Sequence, residues 1–473
     1  MPGRARQTFW PSTTTRPPPY NRLTVKDARP IAAAAPGADA PNMLAGDESL
    51  VRDAERSLRG GGKHKSSIKR FLPFLGPAFI ASVAYMDPGN FATNIEGGAK
   101  FGYLLLWVVV ASNLMAMLLQ LLAAKLGVAT GHNLAELCRD ELPRPAVYVL
   151  WVMMEIVAMA TDLAEFVGAA LGFKLLFGMP LWAGGVATAV ATFALLSIQR
   201  YGFRKIEMAI TALVAVVAGS YLIETFLDKP AWGEIARNAV IPRFRGGDSV
   251  MLAAGILGAT VMPHAIFLHS SLTQGRVKVT NPKLRQRLFR FQILDVLLAM
   301  TVAGAVNMAM LIMAAATFHG TGHTDVGTIE AAHKTLQPLL GRAAGAVFGI
   351  SLLASGLSST IVGTMSGQVM MQGFVHFSIP MWVRRLVTIL PSMIVILAGF
   401  DVTRTLVISQ VVLSFALPFA IVPLVLFTSR RSIMTDLTNR WWTTVAAWVI
   451  GGLVVALNVF LLYRTVTGAG GGG

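Results

Sequence analysis

The sequence predicts an all-α protein that crosses a membrane many times. More than half of its 473 residues are hydrophobic (54%), only 14% are charged, and the mean hydropathy is +0.60. Apolar runs of about 18 residues or more, the length that crosses a bilayer, recur between residues 71 and 463. Two of these runs are broken near their centres by a proline that follows a side chain able to bind a cation, in Asp87-Pro88 and Met262-Pro263.

The apolar runs predict eleven spans, of which the ninth is short. We name them span 1 to span 11 in chain order and expect them at residues 71–97, 103–127, 146–171, 180–198, 206–227, 250–272, 293–317, 343–372, 384–400, 403–428 and 441–463. Together they form one polytopic membrane domain that is embedded in a lipid bilayer.

The positive charge indicates the orientation of the chain in the membrane. Of the net +16, about +7 lies in the first seventy residues, and the remainder is concentrated in short connections. We expect these connections to lie in the cytoplasm together with the cluster 63–70; they contain Arg200, Arg204, Lys205, Arg276, Lys278, Lys283, Arg285, Arg287, Arg290, Arg430, Arg431 and Arg440. With eleven spans, the N-terminus is then cytoplasmic and the C-terminus external. The charge reflects topology and does not indicate binding of nucleic acid.

The two ends of the chain are predicted to be unstructured. Residues 1–65 combine Pro17-Pro18-Pro19 with an alanine run and no apolar period, which predicts a disordered cytoplasmic tail. Residues 66–465 form the transmembrane domain, and 466–473 form a flexible glycine-rich stub. Cys138 is the only cysteine, which excludes disulfides within the chain, and we expect it to be inert in a cytoplasmic loop.

The two breaks predict a repeat and a substrate site. Proline lacks the N–H that closes a helical hydrogen bond, so Pro88 frees the carbonyl of Ala84 and Pro263 frees that of Ala259. Both breaks read Ala-x-x-ligand-Pro and open the first span of a five-span unit. Since an odd number of spans inverts the second copy, the sequence predicts a 5+5 inverted repeat of spans 1–5 and 6–10. Broken spans at corresponding positions are typical of the substrate site of a secondary transporter.

The motifs at the two breaks resemble one family closely. D-P-G-N at 87–90 and M-P-H at 262–264 are hallmark motifs of the Nramp family of proton-coupled divalent metal transporters. The stretches MATDLAEFVGAALG, GATVMPHAIFLHSSLTQGR and LLASGLSSTIVGTM are similar to its bacterial branch, and the resemblance extends over residues 65–465. It implies a LeuT-like fold and the import of Mn²⁺ or Fe²⁺ with protons through the inner membrane. Cd²⁺, Co²⁺ and Zn²⁺ are further candidate substrates; we expect a monomer that is no enzyme and has no cofactor.

The breaks also contain the candidate metal ligands. A carboxylate inside an apolar span is costly, so Asp87 is expected to be functional rather than to reach out from a helix end. Asn90 offers an amide oxygen, with a helix cap as the alternative. Met262 offers a thioether, which favours transition metals over Ca²⁺ and Mg²⁺. The resemblance implies a metal site of Asp87, Asn90, Met262 and the Ala259 carbonyl.

Two further groups enter the metal site through the resemblance alone. The Ala84 carbonyl joins the ligands in some conformations of the family, and a glutamine of span 10 that lies near the ion corresponds to Gln410. The alternative for Gln410 is a hydrogen bond between spans. The other methionines outside the break, such as Met370 and Met371, are expected to be packing residues.

Span 3 contains three acids that are predicted to move protons. At about 100° per residue, Glu155 and Asp162 are about 20° apart, and Glu165 lies about 60° further round, so the three share a face. Such a stripe indicates a proton relay, and the alternative is a set of salt bridges with Arg384 and Arg385. The resemblance implies that Asp162 and Glu165 carry protons, with the arginines downstream. Asp87 belongs to both the metal site and the proton pathway.

Two histidines flank the break in span 6. His264 and His269 point about 140° apart, so we do not expect them to bind one metal together. The resemblance supports a role of His264 in proton coupling or gating. For His269 we expect gating or helix packing.

Other functions fit the sequence less well. An amino-acid/cation symporter of the same architecture would offer glycine-rich backbone to a substrate carboxylate, and a Mg²⁺-transporting relative would lack the methionine. The chain contains neither H-E-x-x-H nor G-x-S-x-G, which argues against a membrane hydrolase. A passive channel differs from a secondary transporter in that it does not drive uptake against a gradient. Gly363 and Gly367 in span 8 form a G-x-x-x-G pattern that predicts close helix packing within the monomer.

Overall fold

Helices make up the regular secondary structure of this computed structural model, which describes residues 76–198, 203–227, 230–276, 281–322, 328–340, 342–377 and 379–467. No strand occurs in these ranges. The tail predicted for residues 1–65 lies outside them, as do residues 468–473 of the predicted stub.

Each of the eleven predicted spans contains a helix, and spans 1 and 6 are each divided in two. The spanning helices are Pro77–Ser82 with the 3₁₀ turn Val83–Met86, then Pro88–Phe101, Leu106–Thr130, Arg144–Phe177, Leu181–Ile198, Phe203–Leu227, Gly246–Thr260 with Pro263–Thr273, Pro282–Ala314 with the π turn Ala315–His319, Arg342–Val375, Met381–Leu397, Val402–Ser429 and Trp441–Thr467. The connections contain the helices Leu134–Glu141, Trp232–Val240, Ile329–Leu340 and Arg431–Met434 and the 3₁₀ turns Gly102–Leu105 and Thr435–Leu437.

Span 7 differs from its predicted bounds. Its helix begins at Pro282, eleven residues before the predicted start at 293, so Lys283, Arg285 and Arg290 lie on a helical extension and not in a loop. Asn281 caps this helix by accepting a hydrogen bond from the backbone N–H of Lys283 at 2.9 Å. Hydropathy detects only the part of a helix that is apolar enough for a membrane, and for that reason the basic first turns were missed.

The connections alternate between two ends of the bundle, as eleven crossings require. At one end, which we call the basic end, the connections after spans 2, 6 and 10 meet. Three contacts join them: Arg285 with Asp436 at 3.1 Å, Arg430 with Glu141 at 3.5 Å, and the Lys125 ammonium donating to Asn439 at 2.6 Å.

The connections after odd-numbered spans meet at the other end, which we call the opposite end. Lys174, at the end of span 3, pairs with Glu330 of the connection between spans 7 and 8 at 3.5 Å. The Trp107 indole donates to the carbonyl of Arg243 across the connection between spans 5 and 6 at 3.1 Å. The connections joined by these contacts therefore alternate between the two ends of the bundle, as the predicted crossings require.

The outer surface of the bundle suits a bilayer. By length and composition, seven helical segments of the described residues are able to cross a membrane. Large apolar side chains are exposed along the spans, and tryptophans lie exposed where spans 4, 9 and 11 begin, namely Trp182, Trp382, Trp441 and Trp442. Aromatic residues at helix ends are typical of the interface between membrane and water. Among these seven segments span 6 is the most enclosed, with 89% of its apolar window buried, against 28% for span 11.

A buried carboxylate that the sequence analysis missed holds the start of span 1. Asp295 of span 7 is fully buried and accepts hydrogen bonds from the backbone N–H groups of Gly76 at 3.3 Å and Ala78 at 2.9 Å. These N–H groups have no partner within the helix. Asp295 therefore fixes the first half of span 1 against span 7. Its position as a lone acid in the long apolar run of span 7 was the signal that could have revealed it.

Cys138, which we expect to be inert, is buried. It lies in the connecting helix Leu134–Glu141 at the basic end, outside the spanning helices, and it is fully buried. Burial raises the pKa of its thiol, so the reactive thiolate is suppressed.

Candidate metal site

The break in span 1 is formed by one extended residue between two helices. The first half ends in the 3₁₀ turn that contains Ala84, and Asp87 has an extended backbone before Pro88 starts the second half. The Asp87 carboxylate caps this second half by accepting a hydrogen bond from the backbone N–H of Asn90 at 2.9 Å. The cap is thus Asp87, and the alternative role of Asn90 as the cap is wrong. Proline fits the first helical position because its missing N–H would be unpaired there anyway.

Span 6 breaks in the same way. Met262 has an extended backbone and precedes Pro263, which starts the second helical half. Its side chain is fully buried and makes no capping hydrogen bond. Asp87 and Met262 therefore occupy equivalent positions in the two repeats, one with a carboxylate and the other with a thioether.

One side-chain amide joins the two breaks. The Asn90 amide nitrogen donates to Asp87 Oδ1 at 2.7 Å and to the carbonyl oxygen of Ala259 at 3.0 Å. These three residues, named from sequence as metal ligands, are thus in direct contact and are all buried. Asp87 Oδ2 and Asn90 Oδ1 have no hydrogen-bond partner. Buried oxygens are normally paired, so this pair of unpartnered oxygens suits a cation.

Gln410 lies beside both breaks, as the resemblance implies. A Cβ on Gly89 would collide with the Gln410 side chain, and a Cβ on Gly258 would collide with the Gln410 carbonyl oxygen. The glutamine therefore packs between span 1 and the first half of span 6. Its amide nitrogen donates weakly to Ser409 at 3.3 Å, and its carbonyl oxygen has no partner. The Gln410 side chain makes no hydrogen bond to another span, so the alternative role that we considered for it is not observed.

Two polar side chains that the sequence analysis missed anchor the first half of span 1 at the break. Asn307 of span 7 donates to the carbonyl of Tyr85 at 2.7 Å, and Ser355 of span 8 donates to that of Met86 at 2.5 Å. Carbonyls that the 3₁₀ turn leaves unpaired are thereby satisfied. Asn and Ser inside apolar spans were the available signal, because such residues often bond across helices.

The two histidines make different contacts. His264 Nδ1 lies 3.3 Å from the hydroxyl of Thr161 in span 3, next to Asp162. His269 Nδ1 donates to Gln120 Oε1 at 2.7 Å, and the Gln120 amide donates to the Tyr85 hydroxyl at 2.5 Å. His269 thus links the second half of span 6 to the break in span 1, while His264 faces the acidic stripe. The hydrogen-bond partners of the two histidines are therefore different.

The acids of span 3 meet both arginines of span 9. Arg385 is fully buried and donates to Asp162 at 2.7 Å, and Arg384 donates to Glu155 at 2.9 Å. Glu165 is buried and neither of its oxygens makes a hydrogen bond, because the neighbouring Ser359 hydroxyl donates to the Gly356 carbonyl at 3.3 Å instead. The charged groups that act on it are Asp162, Arg385 and Asp87. Ionisable groups therefore occur at intervals between the break in span 1 and the partly exposed Glu155.

Span 3 also contacts the break directly. A Cβ on Gly168 would collide with the Pro88 ring, so this glycine allows span 3 to approach the helix break. Gly168 and Glu165 are three residues apart and share a helix face. The unpartnered carboxyl of Glu165 is therefore one helical turn from the contact with Pro88.

Gly363 and Gly367 make room for charged side chains. A Cβ on Gly363 would lie 2.5 Å from Glu165 Oε2, and one on Gly367 would lie 2.6 Å from Arg384 Cζ. Close packing of helices, which the sequence predicted, therefore explains these two glycines only in part. Backbone-level contact between spans 3 and 8 occurs at other glycines, Gly172 and Gly356, whereas the G-x-x-x-G pair accommodates the acid and the arginine.

Within the described residues, no group of three or more His, Cys, Asp or Glu side chains is arranged to hold a metal. The candidate site has only one charged ligand and combines it with an amide, a carbonyl and a thioether. Three oxygen ligands with a single soft thioether suit a divalent transition metal that must leave again better than a permanently bound one.

Comparisons with known proteins point to one family of metal transporters. The family described as natural resistance-associated macrophage protein-like (Nramp) matches residues 78–464. The chain is 52% identical over 422 residues to the divalent metal cation transporter MntH of Deinococcus radiodurans, covering 89% of this chain and 96% of that one. It is 55% identical over 397 residues to the MntH of Klebsiella pneumoniae, covering 84% and 95%.

Solved structures also resemble the bundle. A manganese transporter of Eremococcus coleocola in complex with an aromatic bis-isothiourea compound superposes with a TM-score of 0.78 at 34% identity, covering 87% of this chain and 90% of that one. A nucleobase–cation symport-1 transporter in a closed conformation has a TM-score of 0.56 at 15% identity, covering 82% and 87%. The second likeness concerns the fold alone, and with the first it confirms the predicted LeuT-like architecture.

Gly363→Ala tests the role of the glycine pair. We expect it to destabilise the purified protein by about 1–3 kcal/mol, since the added methyl must displace the Glu165 carboxylate. Gly452→Ala is the matched control, because a Cβ there meets open space. The measurement is thermal unfolding in detergent, repeated in a Glu165→Ala background. If Gly363→Ala is equally costly without the carboxylate, the glycine does not serve Glu165.

Proposed function

The chain belongs to the Nramp family, and we propose that its two helix breaks together bind the ion that it transports. The protein is a membrane transporter that imports divalent metal ions coupled to protons, and it is not an enzyme. Because the metal is its substrate, no resident cofactor is required. An amino-acid/cation symporter and a Mg²⁺ transporter are not favoured.

The observation that carries this proposal is the bridge that Asn90 forms between Asp87 and the Ala259 carbonyl. It leaves one carboxylate oxygen and one amide oxygen buried and unpartnered. We propose that these oxygens bind the ion, together with the Met262 sulfur and the carbonyls of Ala259 and Ala84, with Gln410 beside them. The Ala259 carbonyl oxygen has two lone pairs, so it can accept the Asn90 hydrogen bond and bind the ion at the same time.

Met262 supplies the preference for transition metals. A thioether is a soft ligand, whereas Ca²⁺ and Mg²⁺ prefer oxygen shells. The thioether therefore penalises the abundant hard ions relative to Mn²⁺, Fe²⁺ or Cd²⁺. Cell supply then decides between Mn²⁺ and Fe²⁺, because these ligands bind both.

The acidic stripe of span 3 provides the proton route. When a divalent cation arrives at Asp87, its charge repels protons on neighbouring acids, and Glu165 lies in that field without a hydrogen bond to hold it in one state. A proton leaving this region reaches Asp162 with Arg385 and then Glu155 with Arg384. His264 contacts this stripe through Thr161, which supports a role in proton coupling, and His269 acts in gating through Gln120.

Release at the basic end requires a set of contacts to open. Gln274, at the end of span 6, donates to Glu136 at 2.7 Å and accepts from Asn133 at 3.1 Å, and Ser270 accepts from the backbone of Leu134 at 3.0 Å. These bonds tie span 6 to the connecting helix Leu134–Glu141. Since the ligands are buried, an ion cannot leave towards the basic end while these bonds persist.

The orientation and assembly complete the proposal. The basic end lies on the cytoplasmic side of a bacterial inner membrane, in keeping with the excess of Lys and Arg there. The N-terminus is then cytoplasmic and the C-terminus external. The transporter domain of residues 66–465 acts as a monomer, because one chain contains all the ligands and the whole acidic stripe.

Asp87→Asn tests the metal site. Asparagine retains the helix cap but removes the charge, so we expect little change in thermal stability and at least about a tenfold loss of Mn²⁺ uptake into proteoliposomes. Asp248→Asn, an exposed acid at the start of span 6, is the matched control. Uptake at the native rate by Asp87→Asn would refute the assignment.

Asp162→Asn tests the separate proton route. We expect metal-driven acidification of vesicles to fall about tenfold or more, while the Mn²⁺ affinity measured by calorimetry changes less than about threefold, since Asp162 contacts no metal ligand. Glu330→Gln, which breaks an ion pair at the opposite end, is the control. Equal losses of both properties, or no loss of either, would contradict a separate route.

A further inference from the structure

A cleft at the opposite end of the bundle lies apart from the metal site. It has a volume of about 470 Å³ and is formed by three segments, the turn 101–104 after span 1, the connecting helix Trp232–Val240, and the π turn that ends span 7. Its side chains that could bind a metal are Glu234, Asn238 and His319. None of them belongs to the ion-binding breaks or to the acidic stripe.

His319 is held in the form that binds metals. Its Nδ1 lies 3.0 Å from the carbonyl oxygen of Ala99. A carbonyl oxygen only accepts, so in the neutral imidazole Nδ1 carries the proton and Nε2 presents its lone pair. Histidines that ligate metals typically donate their other ring N–H to a backbone carbonyl in this way, because the bond fixes both the tautomer and the ring orientation.

The backbone around His319 is shaped for the ring. The residue ends a π turn, Ala315–His319, and such turns are rare and frequently found at functional sites. Gly102 opposite has a left-handed backbone (φ 58°), and a Cβ there would lie 2.9 Å from the imidazole Cδ2. A larger residue at 102 would therefore be strained and would also displace the imidazole.

The connecting helix presents two oxygen ligands to the same cleft. Glu234 and Asn238 are one turn apart, while Ile235 and Ala239 on the neighbouring face pack against the core. The Asn238 amide nitrogen donates to the Glu234 carbonyl at 2.9 Å, which leaves its side-chain oxygen available. The Glu234 carboxylate has no ion-pair partner in the part of the chain that the structure describes.

We propose that this cleft is a second, exchangeable binding site for a divalent transition metal, with His319 Nε2, the Glu234 carboxylate and the Asn238 side-chain oxygen as ligands. Imidazole and carboxylate together suit Mn²⁺, Fe²⁺ and Zn²⁺. Few protein ligands and an open position keep binding weak, so the ion exchanges with solvent. At the outer end, such a site raises the local concentration of the ion where it enters. Its role in uptake rests on the proposed transport function, but its binding does not.

Two measurements test the cleft independently of the central site. In the Asp87→Asn background, where the central site has lost its charge, we expect Mn²⁺ binding by calorimetry to persist and to weaken about tenfold with His319→Ala or Glu234→Gln. In the native background we expect the same substitutions to raise the apparent KM for Mn²⁺ uptake about three- to tenfold and leave the maximal rate unchanged.

Matched controls are His376→Ala, at the basic end, and Glu330→Gln, at the same end but outside the cleft. Glu234 is exposed, so Glu234→Gln decides the outcome even if His319→Ala fails to fold. Unchanged binding in Asp87→Asn/Glu234→Gln, or a fall in maximal rate without a change in KM, would overturn the cleft site. Undiminished uptake by Asp87→Asn alone would instead refute the central site and leave the cleft intact.

Discussion

The hydrogen bonds of Asn90 are the contact on which the rest of the site depends. A single amide reaches the carboxylate of its own broken span and the carbonyl that Pro263 frees in the other. The two repeats would otherwise present two separate gaps in two helices. Because the bridge uses the amide nitrogen, it leaves the amide oxygen and one carboxylate oxygen facing no donor. An ion that binds these free oxygens contacts the same two residues that form the bridge, so the ion and the bridge act on the same contact between the two repeats.

Buried charges need partners of opposite charge, and this requirement determines how the charges around the site are arranged. Asp162 and Arg385 are buried and paired, and breaking such a pair by removing one partner typically costs about 3–5 kcal/mol. Glu165 is the exception, since it is buried without a hydrogen bond and lies against Gly363, where any larger residue would displace it. A group that no bond holds in one state is suited to exchange a proton. The proton route thus combines two acids that are paired with arginines, Asp162 and Glu155, with one unpaired acid, Glu165, which is the first to respond to the charge of the ion.

The sequence predicted the architecture because its strongest signals are local. The apolar runs, the Asp87-Pro88 and Met262-Pro263 breaks, and the single face shared by Glu155, Asp162 and Glu165 all follow from the chain alone. The pairing of Arg384 and Arg385 with two of these acids was also anticipated. Contacts between distant segments were not, because nothing local in the sequence marks Asn90 as the bridge, Asp295 as the anchor of span 1, or Gly363 as room for Glu165.

X-ray absorption spectroscopy on the Cd²⁺-loaded protein tests most directly whether the two helix breaks bind one ion, in a Cys138→Ser background that leaves methionine as the only source of sulfur. We expect one sulfur ligand among oxygen ligands, and the loss of that sulfur in Met262→Ala but not in the exposed Met208→Ala. An all-oxygen shell in the native protein, or a sulfur signal that persists in Met262→Ala, would contradict the claim that the two helix breaks share one ion.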